Sequence, residues 1–215
     1  MEEFITNYYD LITKKYAGIN LTRITDYEEF KQKQIIDSIE PYRQSEEFKA
    51  SLDSKYIHID VGFGGGFPIL PLAKTLPNKK FLGVETRNKK VKVVGEIAEK
   101  LMLNNVRLIH SRIENIFIDL PVSISFKAVG KVNDFLEKIK TNQTCRVYFY
   151  KGPNFYDFEK DQIKKAKKDW KIIEEKEICL DGVDKRYLIG FENKKVLHGT
   201  SNKTTNNLVI LSHII

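Results

Sequence analysis

Residues 59–68, Ile-Asp-Val-Gly-Phe-Gly-Gly-Gly-Phe-Pro, place four glycines behind an acid, a composition suited to holding a ligand by backbone. Glycine lets the chain turn sharply and approach a bound molecule without a Cβ in the way, and a helix starting just beyond would present its positive N-terminus. Gly62, Gly64 and Gly66 are spaced GxGxG, whereas a dinucleotide loop reads GxGxxG around a pyrophosphate. The run therefore suits a ligand without pyrophosphate; its other reading is a tight turn with no ligand at all. Roughly twenty residues on, Phe81-Leu82-Gly83-Val84-Glu85 ends a second β-rich run on a carboxylate, which can accept from both hydroxyls of a ribose diol. A solvated strand-end acid is the alternative. Ser111-Arg112-Ile113-Glu114 follows a third such run, where an adenine would lie if Gly62 and Glu85 held the rest of an adenosine. The same four residues also read as a helix start, with Ser111 and Glu114 as a capping box.

These residues need strand ends to carry them. From Lys55 onward, β-rich runs at 56–61, 80–85, 106–110, 123–128 and 146–151 alternate with apolar-periodic segments, notably 89–103 and 132–139. Such alternation predicts a mostly parallel sheet covered by crossover helices. Residues 170–180 and 186–192, joined at Asp181-Gly182, predict an antiparallel hairpin. Ahead of the sheet, Phe4, Ile5, Tyr8, Tyr9, Ile12 and Tyr16 recur at helical spacing up to Gly18. A second helix is predicted from Asp26 to Ile39, ending before Pro41, and a short third over 45–51. The expected organisation is one domain: a helical cap over 1–54, an α/β core over 55–195, and an extension over 196–215 that reads equally as an added strand or a loose tail.

The chain of 215 residues carries 36 lysines and arginines against 29 acids, a formal charge of +7, which favours a polyanionic partner; a merely basic protein is the competing reading. The most local basic run is Arg87, Lys89, Lys90 and Lys92, which suits phosphates or a solvated helix face. Cys145 and Cys179 form no CxxC pair, so neither a disulfide framework nor a zinc site is expected and a reducing cytoplasm is the default. The N-terminus opens on Glu2 and Glu3, and no apolar run approaches membrane-spanning length, so neither secretion nor membrane insertion is expected. His58 and His110 fall in predicted strands and read as packed or edge histidines; nothing around His198 and His213 has metal-ligand spacing. Tyr148 and Tyr150, alternating beside Lys151, read as core residues before base-stacking ones.

The glycine loop ending in Phe67-Pro68, Val84-Glu85-Thr86-Arg87-Asn88-Lys89-Lys90, Ser111-Arg112-Ile113-Glu114, Lys127-Ala128, and Tyr150-Lys151-Gly152-Pro153 occur in that order after Ile19-Asn20-Leu21-Thr22 and Ile36-Asp37-Ser38. In order and distance they resemble the bacterial 16S ribosomal RNA guanine-N7 methyltransferases, formerly called glucose-inhibited division protein B, over most of the chain. The resemblance implies a Rossmann-like class I methyltransferase fold, with a mostly parallel seven-stranded sheet ending in the antiparallel hairpin. It implies S-adenosylmethionine as cofactor and 16S ribosomal RNA or the small ribosomal subunit as partner; no metal is expected from the residue spacing, and a monomer is the expectation for oligomeric state. It assigns Asp60, Gly62, Phe63, Gly64, Gly66, Phe67, Glu85, Ile113, Glu114 and Lys127 to the cofactor. Arg112, Lys127 and Lys151 would position substrate, and Asn20, Arg87, Lys89 and Lys90 would meet RNA. Three positions depart from the family pattern: Gln34 stands for a usual histidine, Lys127 for an arginine, and Ile69 for a glycine. Lysine keeps the charge but loses the planar fork for bidentate recognition.

Guanine N7 already carries an in-plane lone pair, so no general base is expected and alignment should dominate the rate. The main rival is a nicotinamide-dependent oxidoreductase, for which Tyr156 and Lys160 offer a tyrosine-lysine spacing, but the glycine spacing argues against it. A non-catalytic RNA-binding module is the second rival, but it would have no need of the glycine loop coupled to Glu85; a methyltransferase acting on another RNA is a further alternative.

Overall fold

The computed structural model describes residues 1–194 and 208–215. The strands are β1 (Ile57–Val61), β2 (Phe81–Glu85), β3 (Val106–His110), β4 (Ile116–Ile118), β5 (Val122–Lys127), β6 (Lys140–Thr141), β7 (Cys145–Lys151), β8 (Trp170–Ile178), β9 (Arg186–Asn193) and β10 (Val209–Ile210). Seven form one sheet in the order β3-β2-β1-β5-β7-β9-β8, parallel except that β9 runs antiparallel to both β7 and β8. This is the Rossmann-like α/β architecture expected from the sequence. The β1, β2 and β5 strands are almost wholly buried, as near-continuous apolar runs require when helices cover both faces of a parallel sheet.

Alternation along each strand divides the interior in two. On β7, Tyr148 and Tyr150 face one core with Tyr8, Phe30, Phe48 and Val94, while Cys145, Val147 and Phe149 face the other with Ile124, Phe126, Phe155 and Trp170. The first core is closed by α1 (Glu2–Asp10), α2 (Tyr27–Phe30), α3 (Asp37–Gln44), α4 (Glu46–Asp53), α5 (Ile69–Thr75) and α6 (Asn88–Lys100). The second lies under α7 (Val132–Leu136) and α8 (Phe155–Ala166).

Two helices of the cap differ from expectation. After α1 the chain widens into a π-turn over Leu11–Lys15, and between α2 and α3 into another over Lys31–Ile36. The second helix then continues through Pro41 to Gln44 instead of stopping before the proline. Ser38, Ile39 and Pro41 are buried there, so tertiary packing outweighs the local penalty of a proline in a helix interior. Ser45 caps α4, its Oγ accepting from Phe48 N at 3.0 Å.

A feature the sequence did not disclose is a small parallel sheet, β10-β4-β6. Residues 208–215 supply β10, with Leu211 and Ile214 buried in the second core and Ser212 N donating to Asp119 Oδ1 at 3.0 Å. That end of the chain is thus an added strand; the polar part of the predicted extension, 195–207, lies outside the described residues. Among the described residues no helix is long and apolar enough to cross a membrane.

Candidate active site

Strand order places the site. From β1 the chain passes to β2 and β3 on one side, while β5 and β7 lie on the other, so the carboxyl ends of β1 and β5 flank the point where strand order reverses and a crevice opens. Glu85 pairs with His110 across β2 and β3, Val61 with Val84 across β1 and β2, and Lys127 with Tyr150 across β5 and β7. Residues at or next to the carboxyl ends of five strands therefore converge at one edge.

The glycine loop leaves β1 with Gly62 N still bonded to Val84 O at 2.7 Å. Gly62 and Gly64 adopt φ of +74° and +56°, a region other residues rarely occupy. A Cβ on Gly62 would meet Val129 Cγ1 at 2.8 Å, and one on Gly65 would meet Leu21 O at 2.6 Å, so at these two positions the loop is wedged between cap and core with no room for a side chain. Tyr8, wholly buried, donates to Gly65 O at 2.6 Å and stacks on Phe67 at 5.1 Å. Glu85 Oε2 accepts from Gly64 N at 3.1 Å, and its Oε1 from Arg87 N at 3.0 Å and Thr86 Oγ1 at 3.1 Å. The carboxylate is thereby fixed beside the loop at the cavity wall.

The cavity holds about 510 Å³, within the usual range for small-ligand sites. Its wall comprises residues 61–65 and Phe67 of the loop, 84–87 and Lys90, 111–114, 127–129 with Phe135 and Lys138, and Leu21 and Gln34 from the cap. Of the expected site residues it brings together Gly62, Phe63, Gly64, Phe67, Glu85, Arg87, Lys90, Arg112, Ile113, Glu114 and Lys127. Gln34, Val129, Phe135 and Lys138 join them without having been singled out as site residues; only Gln34 carried a signal, its departure from the family's histidine. Arg112 is exposed at the N-terminus of a 3₁₀ turn over Ile113–Asn115 and pairs with Glu114 at 3.5 Å. Ser111 Oγ turns to Arg112 O at 3.3 Å, so the alternative capping box does not form.

The other expected residues stand apart from the wall. Asn20 is exposed with φ of +54°, and Lys89 is exposed on the outer face of α6. Gly66 lies behind the loop, with Tyr8 and Leu70 filling the space a Cβ would need. Lys151 is buried, its ammonium donating to Glu159 Oε1 at 2.7 Å and Gly130 O at 2.9 Å, and burial lowers its pKa. A cation so enclosed is already satisfied and does not reach a phosphate in this conformation. Tyr148 bonds Ser51 Oγ at 2.6 Å and Tyr150 donates to Ser38 O at 3.2 Å, both within the core. Tyr156 and Lys160 lie on α8, away from the wall.

Asp60 points into the sheet interior, where Ser125 Oγ donates to its Oδ1 at 2.8 Å. His58 bridges Ser123 Oγ at 2.8 Å through Nδ1 and Ser125 Oγ at 2.9 Å through Nε2. All four residues are fully buried, so this serine, histidine and aspartate form a structural network that substrate cannot touch. Burial pushes the Asp60 carboxyl up to about 8 and the His58 imidazole down to about 3. Between pH ~4 and ~6.5 the native state keeps the Asp60 proton and refuses one at His58, so the two slopes oppose and cancel. From about pH 6.5 to 8 Asp60 dominates the difference, opposed near the top of this range by Lys79, whose ammonium pKa burial lowers to about 8. The native state holds the Asp60 proton that the unfolded chain has lost, and stability falls by about 1 kcal/mol in all. Urea unfolding of Asp60→Asn at both pH values should show no such decline; a decline parallel to wild type would remove Asp60 as its cause.

Lys127 donates to Asp37 Oδ2 at 2.8 Å and to Lys33 O at 3.3 Å, and Arg186 Nε lies 3.4 Å from Asp37 Oδ1. One buried carboxylate thus ties the cap helix to the end of β5 and to β9. Among the described residues no group of three or more histidine, cysteine or acidic side chains is placed to hold a metal.

The donor set fits S-adenosylmethionine: an acceptor-only carboxylate at one side, a glycine-rich loop in the middle, and apolar walls from Phe67, Ile113 and Val129. Glu85 would take the ribose diol, backbone around Ile113 the adenine, and the glycine loop the amino-acid portion.

Known proteins bear on the fold and the family. Among solved structures, a SAM dependent methyltransferase from Aquifex aeolicus superposes with a TM-score of 0.52 at 18% identity, covering 74% of this chain and 95% of that one; at that identity the likeness is one of fold. Ribosomal RNA small subunit methyltransferase G of Mycoplasma capricolum is 32% identical over 94% of this chain and 83% of its own length. The Clostridium perfringens protein of the same name is 40% identical over 50% of this chain and only 43% of its own length. The family model described as GidB, rRNA small subunit methyltransferase G, matches residues 1–188, and with that extent of match the chain belongs to this family.

Proposed function

We propose that the protein transfers the methyl group of S-adenosylmethionine to N7 of a guanosine in 16S ribosomal RNA of the small ribosomal subunit. The observation that carries this reading is the shared cavity. Glu85, held by Gly64 N–H, faces the same space as Lys127, whose strand lies on the other side of β1. When bound, the cofactor supplies an electrophilic methyl group: the N7 lone pair forms the new C–N bond as the C–S pair returns to sulfur, leaving a neutral thioether and a cationic base. No proton must be removed, so the chain's task is alignment and exclusion of water. Glu85 and the glycine loop fix one reactant; Leu21 and Phe67 give the cavity an apolar wall. Arg87, Lys90 and Arg112 surround it as cations for phosphate contacts. On this reading the enzyme works as a cytoplasmic monomer without a metal.

The direct test is transfer of labelled methyl to small-subunit RNA from cells lacking the modification, with the product nucleoside identified by mass spectrometry. Labelled 7-methylguanosine is expected. A different nucleoside would move the substrate to another base, and binding of a nicotinamide dinucleotide in place of S-adenosylmethionine would favour the oxidoreductase.

RNA affinity should fall steeply with salt, since each neutralised phosphate releases about 0.7 to 0.9 counterions. With Lys127 and Lys151 already paired inside the protein, the outer cations should carry this dependence. Replacing Arg87, Lys90 and Arg112 together by alanine is expected to reduce the log–log salt slope by about 2 to 3. An unaltered slope would place the RNA elsewhere on the surface.

A further inference from the structure

Gln34 sits in the π-turn between α2 and α3, half-buried, and lines the cavity beside Lys127. Its backbone oxygen accepts from Ser38 Oγ, but its carboxamide bonds to no group among the described residues. A wider π-turn of this kind often marks a functional position in a helix. Here it delivers an uncommitted amide, with two N–H donors and one acceptor, to the cavity wall.

Its place along the cavity follows from the sheet. Strands lie about 4.8 Å apart, so Glu85 on β2 and Lys127 on β5 stand about two spacings apart, roughly 10 Å, across β1. If Glu85 holds the ribose, the side toward β3 is the adenine side and the side toward β5 is the methyl-acceptor side. Lys127 spends two of its three N–H donors on Asp37 and the Lys33 carbonyl, leaving one. The acceptor side therefore carries one remaining ammonium N–H and one free carboxamide.

Resting on the methyltransferase reading above, we propose that Gln34 is a specificity-determining residue whose carboxamide N–H, with the last N–H of Lys127, donates to O6 of the acceptor guanine. A purine presents N7 and its C6 substituent on one edge, as O6 in guanine and an amino group in adenine. N7 must keep its lone pair for the methyl group, so the productive contact is to O6 alone. The Lys127 ammonium, fixed by Asp37 and the Lys33 carbonyl, only donates, so it repels a C6 amino group and holds it away from Gln34; the carboxamide contact is therefore made fully only with O6.

The test uses small-subunit RNA carrying guanine or 2,6-diaminopurine at the modified position, the second replacing O6 by an amino group while keeping N7. Wild type, Gln34→Leu and Gln34→Glu are compared for kcat/KM on both RNAs, with S-adenosylmethionine dissociation constants as the folding control. Gln34→Leu is expected to lose about tenfold on guanine and less on diaminopurine. Gln34→Glu, which only accepts, should shift preference further toward diaminopurine. Wild-type rates and preference in both variants would overturn the proposal, as would an equal loss on both RNAs, which marks a merely structural role. A wild-type enzyme that binds cofactor but modifies no guanine overturns the underlying reading, and is distinguished by the wild-type lane alone.

Discussion

Replacing Glu85 by alanine is expected to weaken S-adenosylmethionine binding by about a hundredfold, equivalent to about 2.7 kcal/mol, while leaving the chain folded. Two hydrogen bonds from a diol to one carboxylate are each worth roughly 1.5–3 kcal/mol, less the water they displace. The carboxylate is the right partner because it only accepts, whereas an amide would set its own N–H groups against the hydroxyl protons. In the protein alone, Glu85 accepts from Gly64 N, Arg87 N and Thr86 Oγ1. These groups border an open cavity, so water can replace the carboxylate and the loss of stability should be about 1 kcal/mol. Glu85→Gln should restore little, because its amide nitrogen would face the N–H of Gly64 or Arg87. Calorimetric titration of both variants, with melting temperatures alongside, checks this. A dissociation constant equal to wild type would remove the ribose role.

What made Glu85 legible is that a strand-end acid beside a glycine loop has one place to go once the strands are parallel and neighbouring. Glu85 ends β2, the loop starts on the first residue beyond β1, and Ile113 lies three residues past the end of β3, so topology gathers them. Side-chain direction is a different matter. Asp60 is one residue short of the end of β1, yet it lies opposite Ser125 and turns into the interior. Lys151 ends β7 as expected, but α8 brings Glu159 to within 2.7 Å and takes its charge. No local pattern announces Glu159 as that partner. Gln34 is delivered by a π-turn and the packing of the cap, neither of which has a periodicity to read. The β6 and β10 strands have two residues each, too few for alternation to show.

Asp37→Ala is expected to cost about 3–5 kcal/mol of stability, the usual consequence of leaving a buried charge without its partner. Asp37 is 7% exposed and Lys127 11% at the side chain, so water cannot fully replace the missing carboxylate, and Arg186 on the far side loses the same counterion. For a domain of this size the melting temperature should fall by about 10 °C. The loss arises from imbalance rather than from any large net worth of the ion pair. Asp37→Leu combined with Lys127→Met should therefore recover part of the stability, since an apolar pair of similar volume avoids both desolvation penalties and leaves only Arg186 without its carboxylate. The combined variant separates two roles held by the same residues. It keeps the cap joined to β5 but has no ammonium at the acceptor side of the cavity, so a folded, cofactor-binding protein with poor methyl transfer is expected. Equal melting temperatures for Asp37→Ala and wild type would show that the carboxylate does not hold the cap. Full methyl transfer by the combined variant would show that Lys127 serves the fold and not the substrate.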